Sequence, residues 1–275
     1  GASNVAVGEA ALYVNTTGAE NVSVGGGALD ANTTGDANTA VGYAALTTNA
    51  TGSQNTAVGR SALQDTAGGG NTAMGYKAME ANSTGTGNVA VGWSALDAAT
   101  TATNNTGVGY GALGSTTTGG ANTAVGYGAL DSNTTGAQNV AVGYNALTAA
   151  TTGNFNIAMG HEALDAITTG SNNIAIGQSA MSTNTADNNT AIGHNAMLIN
   201  STGTGNVALG AYTLDANTTA SYNVAIGYTA MGASTTGAGN VAVGYGSLVA
   251  NTTAAYNTAL GYQTLYTNTT GTENI

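Results

Sequence analysis

The sequence predicts an all-β chain, a parallel β-solenoid (β-roll) of about sixteen 17-residue coils, on three observations. The block N-T-A-V-G-Y-G-A-L at residues 122–130, followed by D-S-N-T-T-G-A-Q, recurs from one end of the chain to the other. Glycine holds the fifth position of every copy, and small or aliphatic residues hold fixed positions around it. Self-similarity at a short fixed period marks a stacked array in which each unit buries its apolar residues against its neighbours.

Counted from its asparagine, the repeat opens at Asn4, Asn21, Asn38, Asn55, Asn71, Asn88, Asn105, Asn122, Asn139, Asn156, Asn173, Asn189, Asn206, Asn223, Asn240 and Asn257. The units opening at Asn55 and Asn173 have sixteen residues instead of seventeen, and the loss falls in the polar second half each time. Length in a repeat counts coils, so residues 1–275 read as a single continuous β-solenoid region and not as a set of globular domains. Gly1-Ala2-Ser3 matches the last three positions of the unit and Asn274-Ile275 the first two, so the segment is expected to be cut mid-repeat at both ends and to belong to a longer chain.

Within a unit, positions 1 to 4 read as a short strand: Asn, then Val, Thr or Ile, then a small residue, then Val, Ile, Met or Leu. Position 4 is never polar and position 9 is always Leu or Met, so these two rows are expected to form the core. Position 3 departs from Ala only at Ser23 and Gly107, and position 8 only at Thr213, Ser247 and Thr264. Two such small rows imply surfaces pressed close together. The invariant Gly at position 5 suits a turn with positive φ or a close backbone approach, and ends the strand. A tight turn over positions 5 to 7, a second strand near 8 to 10 and a polar return through N-T-T-G complete the coil. Helix is excluded, because the invariant Gly, the recurrent Thr-Thr and a second Gly oppose helix propensity in every unit. Coils stacked about 4.8 Å apart would give a rod roughly 75 Å long.

The Asn at position 1 is the most regular polar residue, and stacked amides of this kind bond to one another as side-chain ladders. The Asn at position 12, present in ten units, reads as a turn former; nine of the ten, Asn49 and Asn133 among them, also fit the glycosylation sequon. Tyr is the commonest residue at position 6, as at Tyr43, Tyr127 and Tyr245, with Trp93 once. Either this row or position 2, which alternates among Val, Thr and Ile, lines a subunit seam or stands on the surface as a stripe, and a partly buried structural role is the expectation.

Composition narrows function mainly by exclusion. Arg60 and Lys77 are the only two Lys or Arg residues against thirteen Asp and Glu, so a groove that tracks nucleic-acid phosphates has nothing to build from. There is no Cys, hence no disulfide framework or thiolate metal site, and no apolar run long enough for a membrane span. A repeat presents the same groups in rows, whereas catalysis needs different groups converging on one spot. The chain is therefore expected not to be an enzyme, with no catalytic, cofactor-binding or metal-binding residue and no cofactor. His161 and His194 share position 6 but lie two coils apart, roughly 10 Å, too far to share a metal. The acids at position 10, namely Asp30, Glu80, Asp97, Asp131, Asp165 and Asp215, read as a solvated edge, since the glycine-aspartate nonapeptide of calcium-binding rolls is missing.

The block N-T-A-V-G-Y-G-A-L and its variants N-I-A-I-G-Q-S-A-M (173–181) and N-V-A-V-G-Y-N-A-L (139–147) resemble the head repeats of YadA-like trimeric autotransporter adhesins. They are also similar to repeats of some phage tail fibres. The likeness runs the whole length of the chain and is carried by the A-[VI]-G core followed by small residues; the longer coil and the N-T-T-G return depart from the adhesin pattern. The resemblance implies a left-handed coil and a homotrimer. A thin core, two large apolar rows beside two Ala rows, independently suggests a partner face.

These readings lead to an extracellular fibre shaft or head, at a cell or virion surface, that supports adhesion or receptor binding. Its partners would be further copies of itself, as a homotrimer or an end-to-end filament, and a host surface or matrix held by many weak contacts. Two other functions fit the repeat: a self-assembling structural filament with no receptor, and an ice-binding solenoid. The last is weakened by adjacent threonines such as Thr134 and Thr135, which a strand would point to opposite sides.

Overall fold

The structure, a computed structural model, describes all 275 residues as a parallel β-solenoid of sixteen turns with a seventeen-residue period. It comprises two compact units, residues 1–138 and 139–275. The first carries β1 (Val5–Val7), β2 (Val22–Val24), β3 (Thr39–Val41), β4 (Thr56–Val58), β5 (Thr72–Met74), β6 (Val89–Val91), β7 (Thr106–Val108) and β8 (Thr123–Val125). The second carries β9 (Val140–Val142), β10 (Ile157–Met159), β11 (Ile174–Ile176), β12 (Thr190–Ile192), β13 (Val207–Leu209), β14 (Val224–Ile226), β15 (Val241–Val243) and β16 (Thr258–Leu260). Within each unit, consecutive strands pair parallel and in register, so that Val89 faces Thr106 in one and Val207 faces Val224 in the other.

Each strand has only three residues, repeat positions 2 to 4, and the pleat sends position 3 to one side and positions 2 and 4 to the other. The inward side is position 3. Ala40, Ala57, Ala73, Ala90 and Ala124 are fully buried, together with the Ala row at position 8 and the Leu or Met row at position 9. Position 4, expected in the core, lies on the outer side and is buried in no coil; Val125, Met159 and Leu209 are 39%, 41% and 43% accessible. The correction follows from the period of two, which ties position 4 to the variable, Thr-bearing position 2. The interior is too narrow for a branched chain at position 3. A Cβ added to Gly107 there would already lie 3.3 Å from the Leu96 side chain of the preceding coil. Ser23, the one polar replacement in this row, donates its hydroxyl to the Ala28 carbonyl across the interior at 2.8 Å.

The second strand expected near positions 8 to 10 is instead a turn. The Leu or Met at position 9 adopts φ of +47° to +58° in every coil, a left-handed conformation costing about 1–2 kcal/mol for a side-chain-bearing residue. Two features offset that strain. The side chain is fully buried in most coils, and the backbone N–H still bonds to the next coil, as Leu29 N–H does to the Ala45 carbonyl at 3.0 Å. Stacking therefore continues where no strand exists. The position 5 glycines meet both demands read from the sequence: Gly25 has φ +133°, and a Cβ on it would lie 2.5 Å from the Gly42 carbonyl oxygen.

Asparagine closes the coil. The Asn21 amide Nδ2 donates to the Gly35 carbonyl at 2.8 Å, spanning the interior from position 1 to position 15 of one coil. Its Oδ1 accepts the backbone N–H of Asn38, the first residue of the next coil, at 2.9 Å. The pair of bonds recurs at Asn88, with Nδ2 to Ala102 at 2.8 Å and Oδ1 from Asn105 N–H at 3.0 Å, and at Asn223, with 2.9 Å to Gly237 and 2.8 Å from Asn240 N–H. In the two sixteen-residue coils the missing residue lies between position 12 and the bonded carbonyl, and the closure survives: Asn55 and Asn173 reach Gly68 and Ala186, each at 2.9 Å.

One incoming residue separates the inner and outer positions. Ala124→Thr should cost about 1–3 kcal/mol by overpacking, whereas Val125→Thr should stay within about 1 kcal/mol, because the outer face already carries threonine at position 2. Urea midpoints of the two variants make the comparison, and equal midpoints would return position 4 to the interior.

Candidate functional surfaces

The outer face of the strands is the first surface. Positions 2 and 4 together present Val, Thr, Ile, Met and Leu and not one titratable group, although the chain has a formal net charge of −11. In the first unit Val5 and Val7 are 50% and 58% exposed, and the β3 to β8 residues at these positions are all partly exposed, Val41, Met74 and Val125 reaching 36%, 44% and 39%. In the second unit Met159, Val207, Leu209 and Val241 are exposed in the same way. Parallel sheets are found almost only with both faces covered, so an open apolar face on one is an unpartnered surface.

The second surface is the ring row at position 6. In the first unit Tyr76, Trp93, Tyr110 and Tyr127 follow one another with centroid separations of 5.0, 6.0 and 5.1 Å, and the last pair lies parallel within 8°. In the second unit Tyr228, Tyr245 and Tyr262 stack at 5.6 and 5.2 Å, both 12° from parallel. These rings are about half-exposed, more open than the partly buried role expected of them, and they pack on one another along the coil axis. Where the row carries other residues it stays in the same stack: the Arg60 guanidinium lies 5.7 Å from the Tyr43 ring centre, and His161 stacks on Tyr144 at 5.1 Å.

The acids at position 10 are half-buried beside this row and not a fully solvated edge. Lys77 pairs with Glu80 at 2.9 Å, and the Ser182 hydroxyl donates to Asp165 at 2.7 Å. Burial pushes the carboxyls of Asp97, Asp131 and Asp215 above the usual carboxylate range, with the Glu80 charge adding to the effect at Asp97. Glu9, Asp30 and Tyr43 edge a shallow notch where Gly26 and Gly27 bring no side chain to positions 6 and 7.

No group of three or more His, Cys, Asp or Glu side chains stands close enough to hold a metal ion. His161 lies 3.6 Å from Glu162, and His194 sits edge-on to Tyr212. Seven of the nine sequon asparagines are buried, Asn15 and Asn268 being the partly exposed exceptions; Asn49 and Asn133 are fully buried and donate Nδ2, the atom a glycan would need, to Gly52 and Gly136 at 2.9 and 3.1 Å. Turn closure and not glycan attachment therefore accounts for N-T-T in the folded chain. Position 2 was legible as a seam or surface row; the outward course of position 4 is the feature missed from sequence, and strict alternation along positions 2, 3 and 4 was the signal for it. No helix is long and apolar enough to cross a membrane. No family model matches the chain, and no curated protein matches it.

The raised acids give a pH dependence with a definite sign. A carboxyl whose folded value lies above its unfolded one binds its proton more tightly when folded, so stability falls as pH rises through that window and is regained on acidification. The thermal midpoint should therefore climb as pH is lowered from neutral toward about 4, near the unperturbed aspartate value. Asp131→Asn together with Asp215→Asn should raise the neutral-pH midpoint and flatten the profile. A midpoint that drops steadily over this range would contradict the assignment.

Proposed function

We propose that the chain is a non-enzymatic, extracellular fibre shaft or head, at a cell or virion surface, that supports adhesion or receptor binding and is assembled as a homotrimer. One observation carries the reading: coil after coil closes by the same asparagine bonds, as at Asn21, Asn88 and Asn223, and presents the same rows outward, an arrangement that suits a spacer with repeated faces better than a pocket with converging groups. The uncharged face of positions 2 and 4 supplies the seam. A partner for it must match residues repeating at the coil spacing, which another copy of this chain does, and the absence of titratable groups from this face keeps the like charges of two chains of net charge −11 out of the seam. Left-handed coiling and trimeric stoichiometry follow the resemblance to adhesin head repeats. Contact with a host surface or matrix would come from the remaining rows, by multivalency.

A second reading has its own support. Thr39, Thr56 and Thr72 file along β3, β4 and β5 beside Val41, Val58 and Met74, a flat regular array of hydroxyl and methyl groups of the kind an ice surface would meet. Thermal hysteresis in dilute protein tests this alternative directly.

Light scattering should give three times the chain mass, and the double variant Val91→Asp/Val108→Asp, which places carboxylates on adjacent strands of the outer face, should abolish that species. A wild-type monomer that stays folded at low concentration would refute the trimer, and masses growing with concentration would favour an open filament.

A further inference from the structure

We propose that the parallel tyrosine pairs of the position 6 row, Tyr110 with Tyr127, Tyr228 with Tyr245 and Tyr245 with Tyr262, are sites of oxidative cross-linking that join consecutive coils covalently. The centroid separations of 5.1, 5.6 and 5.2 Å and the interplanar angles of 8° to 12° place the two phenols of each pair side by side in a stack. The parallel register fixes that contact, because equivalent residues of adjacent coils stand one interstrand spacing apart. Tyr110, Tyr127, Tyr228 and Tyr245 are each about half-exposed, so a diffusing oxidant reaches them while the stack keeps the partner ring adjacent. With no Cys in the chain, the phenols are the side chains able to form such a link between coils.

The co-reactant is a one-electron oxidant, for which a haem peroxidase with hydrogen peroxide serves. Each phenol loses one electron and its hydroxyl proton to give a phenoxyl radical. The two radicals couple through a new carbon–carbon bond between ring positions ortho to oxygen. Loss of the two ortho C–H protons to the former phenoxyl oxygens restores both phenols. The two electrons and two protons removed reduce one hydrogen peroxide to two waters, so the step balances as two tyrosines and one peroxide giving one dityrosine and two waters.

Stacking and exposure make opposite forecasts, which is what the test uses. Tyr13, Tyr222 and Tyr256 are 76%, 72% and 68% exposed, more open than Tyr110, Tyr127, Tyr228 and Tyr245, yet they stand outside the position 6 stack. The folded full chain is treated with peroxidase and limiting peroxide, separated under denaturing conditions, and the band of single-chain mass is digested for peptide mapping. The expected result is dityrosine within one chain, linking Tyr110 to Tyr127 and Tyr245 to a neighbouring member of its stack. Tyr110→Phe, which keeps the ring but removes the phenol, should lose the first link and retain those of the second unit. Links formed chiefly through Tyr13, Tyr222 or Tyr256, or only between chains, would overturn the proposal. So would an unchanged map in Tyr110→Phe.

Discussion

The structure depends on one buried amide. The Asn at position 1 donates across its own coil to the carbonyl at position 15 and accepts the backbone N–H of the next Asn, so a single side chain both closes a turn and sets the next one on top of it. Nothing apolar could do both. With Ala at positions 3 and 8 and one Leu or Met per coil, the interior is thin, and the polar groups of a tightly wound backbone must be satisfied within it. The amide ladder meets that demand at each repeat, and several coils add a second bond in which Nδ2 also reaches the preceding Oδ1, as Asn105 does to Asn88 at 3.3 Å. The Asn at position 12 has a lesser part. It donates to the same carbonyl, but Asn32, Asn49, Asn82, Asn133, Asn217 and Asn251 each leave a buried Oδ1 that accepts no hydrogen bond from the chain. That difference explains why position 12 admits Thr66, Ala99, Thr116 and Ile167 while position 1 admits no substitute.

The repeat made much of this legible in advance. A seventeen-residue period, an invariant Gly and an invariant Asn point to stacked coils with a side-chain ladder, and the Gly column and the ladder stand where the pattern puts them. The in/out assignment was harder. Invariant hydrophobicity at position 4 looks like a core, but on a sheet it also describes a face awaiting a partner, and hydropathy does not distinguish the two. Alternation does, since position 3 is small in every coil and shares no face with position 4. The tight turn over positions 5 to 7 was legible, but its continuation through positions 8 and 9 was not, because nothing in a Leu marks it for positive φ. The conformation is imposed by neighbouring coils, which bond its backbone and bury its side chain. The half-buried state of Asp131 and Asp215 likewise comes from packing between coils that no single unit reveals.

Uniform closure has a functional corollary. Because the coils share one internal solution, charged and aromatic variety falls on outward rows, and those rows change residue without disturbing the scaffold: Glu9, Tyr43, Arg60, Trp93 and His161 all occupy position 6. An apolar strand face, a ring stack and a half-buried acid row run along each unit. On the proposed reading such surfaces meet extended partners, further copies of the chain among them.

The direct test of the central claim is the stability of Asn88→Ala against Asn82→Ala, measured by chemical denaturation. Removing Asn88 leaves the Asn105 N–H and the Ala102 carbonyl without their amide partner, each an orphan worth about 1–3 kcal/mol when buried. Asn82→Ala leaves the Gly85 carbonyl bonded to Asn71 Nδ2 at 2.9 Å. Asn88→Ala should therefore be the more damaging by about 2 kcal/mol or more, and equal losses would show that coil closure does not rest on the amide ladder.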